Sequence, residues 1–333
     1  MSKKTAVAGV SAKRAKQPGR GRNAQTPAEV PAKGWKDIFW RVYGALWEDR
    51  IMLIAAGSTF YLLLALFPAL TAFVSIYGFL ADRTSVAGNT SLLVGILPYD
   101  SVNLIRSQLD ALASQDTKVL SFGFFIGLSV ALWSANNGVK GIFEALNVAY
   151  GENEKRSFLK LNLISFVFTF GGMFFGILLL SSLGLVPRLM ALLGWNGWNG
   201  ALVSLVRWPL TAAIVIIAIS IVYRFGPDRE QAKWRWLSLG AIGSTIVWMV
   251  TAASFTFYLA NFADYNATYG ALGAVAGLMV WIWISVIILI LGAELNAELE
   301  HQTAMDTTTG RPLPMGARGA VVADTIGKSS DEN

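Results

Sequence analysis

Ionisable side chains inside apolar stretches are the first candidates for chemistry, because a charge within a bilayer is costly and is usually functional. Arg207 is one such residue, and it directly precedes Trp208 and Pro209. We expect Arg207 to contact an anionic group in a cavity. The simpler interpretation is that its side chain reaches up to the membrane surface, where nearby tryptophans mark the interface.

Two glutamates near the end of the last apolar run form a second candidate site. Glu294 and Glu298 stand four residues apart, so they share one face of a helix. We expect Glu294 to couple protons or to hold the inner gate of a pathway. The alternative is that both carboxylates pair with Lys or Arg side chains at the rim of the membrane.

The loop over residues 261–269 is short, polar and free of Lys and Arg. Its Tyr265, Asn266 and Tyr269 bring hydroxyl and amide groups to the end of an apolar run. We expect these three side chains to line the outer mouth of a cavity. A well-capped turn is the alternative interpretation.

The sequence lacks the residue sets that common catalytic and metal sites need. It contains no cysteine and one histidine, His301, which excludes thiolate zinc sites and leaves little for a histidine-built site. It has no phosphate-binding glycine loop, no GxSxG, no HExxH and no EF-hand loop. We therefore expect no enzyme activity, no metal and no cofactor. A membrane-embedded enzyme would need Asp, Glu and Arg to converge in one pocket.

Long apolar runs must position these residues. Of the 333 residues, 54% are hydrophobic and 14% are charged, whereas soluble domains carry roughly 25% charged residues. A helix needs about 20 apolar residues to cross a bilayer. The sequence predicts an all-α polytopic membrane protein with six transmembrane helices. The predicted spans cover about residues 51–80, 119–135, 158–186, 201–223, 236–260 and 270–293.

Three connecting segments have the apolar spacing of short amphipathic helices. They cover residues 34–49, 100–112 and 139–149, and apolar residues recur in each at intervals of three and four. We expect them to rest on the membrane surface or against the bundle.

Small residues at four-residue spacing predict close helix packing. Gly172 and Gly176 form such a pair in the third span, and Gly273 and Gly277 form one in the sixth. We expect backbones to approach each other at these two positions.

The charge distribution predicts the domain organisation and the orientation. Residues 1–33 read as a disordered basic arm, 34–301 as the membrane domain, and 302–333 as a disordered tail. Of the 27 Lys and Arg residues, 22 are assigned to the side that carries both termini, counting Lys160 at the flank of the third span. Basic residues are enriched on the cytoplasmic side, so both termini are predicted to be cytoplasmic. The basic net charge therefore requires no nucleic acid.

Several motifs in this chain resemble those of the YihY/BrkB family of bacterial inner-membrane proteins, and the similarity runs over about residues 35–301. The motifs are AAGSTFYLLLALFP at 55–68, WSANNGVK at 133–140, RWP at 207–209, YRFGP at 223–227, YNATYGALG at 265–273 and LGAELNAE at 291–298.

The resemblance implies a six-helix protein of the bacterial plasma (inner) membrane. The family is associated with envelope function and serum resistance, and lipid transport has been suggested for it. A ribonuclease name is also attached to the family, but this sequence has neither a metal cluster nor a folded soluble domain to support it.

Two hypotheses of different kinds follow. In the first, the protein moves a lipid or an amphipathic anion across the membrane without hydrolysing ATP. In the second, it is a non-transporting scaffold for envelope assembly, whose helices at 34–49 and 139–149 hold partners. Membrane lipids are expected to contact the protein in both cases. A second copy of the chain or an envelope protein remains open as a partner.

Overall fold

The computed structural model of the chain describes residues 10–80, 107, 117–192, 201–261 and 271–332. The long elements in these ranges are helices. They are α1 (Ala32–Glu48), α2 (Ile51–Leu80), α3 (Thr117–Ala149), α4 (Phe158–Leu192), α5 (Ala201–Phe225), α6 (Trp234–Asn261) and α7 (Ala271–Glu300). The part of the chain that the structure describes contains no strand, only an isolated bridge between Ala232 and Thr308. An all-α fold is therefore confirmed.

Helix α1 corresponds to the amphipathic segment predicted at 34–49 and meets α2 at a sharp corner. The two helices are bent by 60°, and Arg50 between them has a φ of 50°. The inner face of α1 is buried through Ile38, while Phe39, Trp40 and Trp47 are exposed. Exposed aromatic rings on one face suit a helix at a membrane surface.

Helix α3 differs from its sequence prediction. A span at 119–135 and a separate short helix at 139–149 were expected, but the structure has one continuous helix from Thr117 to Ala149. Gly138 and Gly141 lie in it, and a Cβ on either would press against Leu62 or Ser58 of α2. Continuous packing against α2 thus extends α3 beyond the apolar run. The segment predicted helical at 100–112 lies outside the described residues, apart from Ser107.

The helices have the length and apolarity of a membrane protein. Three stretches in the described residues are long and apolar enough to cross a bilayer: Phe158–Gly176, Trp234–Tyr258 and Val275–Glu300. The number rises to four if the bent α1–α2 pair is counted as one span. Many of their large apolar side chains are exposed, Leu159 and Phe174 among them. Hydrocarbon is the environment that such surfaces require. The number six remains a prediction.

Both ends of the chain differ from the expectation of disorder. Residues 10–33 and 301–332 pack together against α1 and the end of α7, and we call them the terminal arms. Arg22 is buried and donates to the carbonyl oxygens of Gln302 (3.2 Å) and Gly327 (3.1 Å). Burial lowers the pKa of Arg22 to about 10, and the nearby Arg41 adds to this effect.

Charged side chains of α1 explain why the arms dock there. Arg20 forms two hydrogen bonds to the buried carboxylate of Asp37, at 2.7 and 2.8 Å. The backbone N–H of Ser330 donates to the same carboxylate at 2.7 Å. Composition favours disorder in both arms, but these long-range contacts satisfy their charges and their backbone.

Candidate functional site

Glu294 lies on the buried side of α7, one turn from the hydrophobic cluster that joins α7 to α2. Ile290 belongs to that cluster together with Ile51 and Ala55. Since residues four apart share a helix face, Glu294 faces the corner between α1 and α2. Its residue is 2% exposed, and its Oε1 atom has no hydrogen-bond partner among the residues that the structure describes.

Glu298 lies one turn further along α7 and, unlike Glu294, has basic side chains beside its carboxylate. Its carboxylate accepts a short hydrogen bond from Nε of Arg41 and lies 3.6 Å from Nδ1 of His301. Pairing with a basic side chain, the alternative for both glutamates, thus describes Glu298. No ion pair is found for Glu294 within the described ranges.

A cavity of about 760 Å³ lies beside Glu298 at the end of the molecule that carries the terminal arms. Asp49, Arg41 and His301 line it along with Glu298, and Trp40 and Tyr43 contribute ring surface. Asp49 and Glu298 are both near enough to Glu294 to interact with it electrostatically. Glu298, which lines the cavity, is one helix turn from Glu294 along α7.

The other predicted site residues are not brought together by the described structure. Tyr265, Asn266 and Tyr269 lie outside the described residues, and Arg207 lies in the helical range of α5 without a described side chain. Of the predicted set, Glu294 alone has described surroundings. The roles of all five residues stay predictions.

A buried polar cluster, which we call the polar clasp, holds α5, α6 and α7 together. The hydroxyl of Tyr223 donates to the carbonyl oxygen of Leu289 at 2.7 Å and lies 2.9 Å from the hydroxyl of Ser244. The Asn296 side chain accepts from the Gly240 N–H at 2.8 Å and donates to the carbonyl oxygen of Leu237 at 3.1 Å. The clasp fixes the helix that carries Glu294.

Close backbone packing occurs at other glycines than those predicted. A Cβ on Gly240 would collide with the carbonyl oxygen of Gly292. A Cβ added to Gly172, Gly176 or Gly277 would have no heavy atom of the described residues within 4 Å. The prediction of tight packing is therefore wrong for these three, because four-residue spacing says nothing about which helix face meets a neighbour.

The chemistry that Glu294 is able to perform is the uptake and release of a proton. A buried carboxyl with a free oxygen lacks the ligands of a metal site, and the described residues contain no group of three or more His, Cys, Asp or Glu able to hold a metal ion. The open cavity is lined by Glu298, the residue one helix turn along α7.

Comparison with known proteins agrees with this architecture. A family model described as Virulence factor BrkB matches residues 42–315. A ribonuclease-like protein, YfkH of Bacillus subtilis, is 32% identical over 255 residues, which cover 74% of this chain and 90% of YfkH. A UPF0761 membrane protein of Tolumonas auensis is 26% identical over 82% of this chain and 88% of its own length.

A further relative is longer than this chain. A UPF0761 membrane protein of Neisseria meningitidis is 25% identical over 79% of this chain, and the match covers 63% of that relative. No solved structure matches the chain.

Proposed function

We propose that this chain, which belongs to the Virulence factor BrkB family and is a membrane protein, is a transporter that moves a lipid or an amphipathic anion for envelope function. The proposed place is the bacterial inner membrane, with both termini in the cytoplasm. The observation that carries the proposal is Glu294, a buried carboxyl with an unpartnered oxygen on a helix long enough to span a bilayer.

An unpaired carboxyl inside a membrane protein is costly unless it is protonated. Ionisable residues in such positions often mark proton relays in pumps and transporters. Glu294 is one helix turn from Glu298, which lines the open cavity, and one turn from Ile290 of the apolar cluster. A carboxyl at this boundary is suited to couple proton binding to movement of α7 against the α1–α2 corner.

The remaining site residues complete the proposed pathway. Arg207 contacts the anionic headgroup, and Tyr265, Asn266 and Tyr269 line the outer mouth. Glu294 couples protons or holds the inner gate.

The test is translocation of fluorescent phosphatidylglycerol by the purified chain in liposomes, with and without a pH gradient. We expect wild type to exceed empty liposomes and to respond to the gradient. Glu294→Gln keeps the shape of the side chain but cannot ionise, so the response to the gradient should disappear. Arg207→Ala should lower the rate by about tenfold or more if it removes roughly 1.4 kcal/mol of headgroup binding.

The matched control is Glu144→Gln, which changes an exposed glutamate on α3 and should behave as wild type. Absence of translocation by the folded protein would contradict the proposal. So would wild-type behaviour of both Glu294→Gln and Arg207→Ala. Either result would favour the scaffold hypothesis, which predicts a stoichiometric partner crosslinked to residues 34–49.

A further inference from the structure

An apolar groove runs between α1 and the seam where α6 meets α7. Its volume is about 290 Å³. Trp35 and Phe39 of α1 form one wall, Gly243 and Val247 of α6 form the floor, and Leu291 and Leu295 of α7 form the other wall. The groove lies on the opposite side of α1 from the cavity beside Glu298.

The walls of the groove offer almost no polar partner to a ligand. The Ser244 hydroxyl reaches its surface, but this group already lies 2.9 Å from the Tyr223 hydroxyl and donates to the carbonyl oxygen of Ile288 at 3.2 Å. The indole of Trp35 is the other polar side-chain group on the wall. The groove therefore suits hydrocarbon.

The groove exists because the α6–α7 seam opens within one turn. At Gly240 the two backbones are in contact, and a Cβ would collide with Gly292. At Gly243, three residues later, a Cβ would meet only the Leu295 side chain, at 3.9 Å. A side chain larger than alanine at position 243 would fill the space.

The position of the groove indicates what fills it. Gly243 and Val247 lie in the candidate span Trp234–Tyr258, and Leu291 and Leu295 lie in Val275–Glu300. The groove is therefore at membrane depth and opens beside the exposed ring of Phe39. At that depth the surrounding molecules are lipid chains.

Two cations are sequence neighbours of residues that form or pack against the α1 wall of the groove. Lys36 follows Trp35 in α1, and Arg235 precedes Trp236, which shares a buried cluster with Ile38. Both cations are exposed, and neither forms an ion pair with the described residues, although Glu29 is near enough to Arg235 to interact with it. A phosphate at the membrane surface complements these charges.

We propose that this groove holds one acyl chain of an anionic phospholipid, whose phosphate lies near Lys36 and Arg235. The inference goes beyond the proposed function, because a resident lipid requires no transport.

The test uses the full chain in liposomes that contain phosphatidylglycerol with a diazirine on one acyl chain. After illumination, crosslinked peptides are mapped by mass spectrometry. We expect crosslinks concentrated in residues 35–42 and 243–247, and at least a fivefold loss of this yield in Gly243→Leu. Lys36→Gln should remove the preference for phosphatidylglycerol over phosphatidylethanolamine.

The matched control is Gly171→Leu, at a glycine of α4 that is exposed and has nothing within 4 Å, and it should leave the yield unchanged. Val247→Trp fills the groove from a second position and replaces Gly243→Leu if that variant does not fold. Even labelling of α4 and of the groove would overturn the proposal, because it would show boundary lipid alone.

Two further outcomes are decisive. A disulfide between chains in Phe39→Cys, placed in this cysteine-free sequence, together with loss of lipid crosslinking would show that a second copy occupies the groove and would overturn the proposal. Groove crosslinks without translocation would support the lipid site and contradict the proposed function. Translocation without groove crosslinks would support the proposed function and overturn the lipid site.

Discussion

At the scale of single residues, Glu294 and Glu298 differ because only one of them meets a cation. Arg41 of α1 reaches Glu298 and also donates to the Lys328 carbonyl oxygen at 2.7 Å. Glu294 faces the α1–α2 corner one turn deeper, where no basic side chain of the described structure reaches it. The paired glutamate is therefore positioned to stabilise the terminal arms.

The ion pair between Arg229 and Glu300 gives a prediction on stability. Nη2 of Arg229 lies 2.7 Å from the carboxylate, and both side chains are buried. The charge of Glu300 raises the pKa of Arg229 although burial alone lowers it. Arg229→Ala leaves Glu300 unpaired, so we expect a loss of about 3 kcal/mol in the free energy of unfolding. Chemical denaturation in detergent measures it.

The control for this prediction is Arg235→Ala, at an exposed arginine without an ion pair to the described residues, which should change stability by no more than about 0.5 kcal/mol. The double variant Arg229→Met, Glu300→Leu should recover most of the loss, because it leaves no unpaired charge. Equal losses for the single and the double variant would show that packing, not charge, is responsible.

At the scale of elements, the α6–α7 seam combines a tight contact with an opening. Gly240 and Gly292 let the backbones touch, and Asn296 bridges them. The groove begins three residues further along α6, at Gly243. Helix α7 is thus held firmly to α6 on one face while its Glu294 face meets the α1–α2 corner.

Enlarging a glycine of the seam should therefore force α6 and α7 apart. A Cβ on Gly292 would collide with the hydroxyls of Ser244 and Tyr223, so Gly292→Val should cost about 1–3 kcal/mol through overpacking. Thermal unfolding in detergent, followed by circular dichroism, measures the change. Gly172→Val, at a glycine with open space around it, is the matched control, and a similar drop for both would contradict the assignment.

At the scale of the whole molecule, the terminal arms make one end of the protein polar. Arg318 of the C-terminal arm is buried and donates to the carbonyl oxygens of Ala323 (2.7 Å) and Ala304 (2.8 Å). Glu332 accepts hydrogen bonds from Arg14 of the N-terminal arm. Both arms pack over the end of α7, so the described parts of the two arms lie on the same side of the molecule.

The predicted topology, six spans with both termini in the cytoplasm, gives a labelling prediction for the whole chain. The sequence has no cysteine, so a cysteine introduced at one position is the one thiol that a maleimide is able to label. We expect Gln25→Cys and Arg311→Cys, in the two arms, to react with a membrane-impermeant maleimide only after the cells are permeabilised. Asn266→Cys should react in intact cells. Labelling of either arm in intact cells would contradict the orientation.

The apolar runs alone determined most of the helices. The predicted spans at 201–223 and 236–260 agree with α5 and α6 to within about two residues, because helix length and apolarity are local properties. The motifs of the BrkB family were likewise recognisable from the amino-acid sequence alone, as was the lack of common catalytic motifs. Glu294 was identified as a candidate because a carboxylate in an apolar run is unusual whatever surrounds it.

The tertiary structure decided which of these residues are partnered. Spacing places Glu294 and Glu298 on one face, but only the packing of α1 assigns Arg41 to Glu298. A Cβ on Gly172 or Gly176 would meet no heavy atom of the described residues within 4 Å, whereas Gly240 and Gly292 form the close backbone contact. The arms pack because Arg22 and Asp37 find partners far away in the chain. Such contacts depend on residues distant in sequence, so no local pattern encodes them.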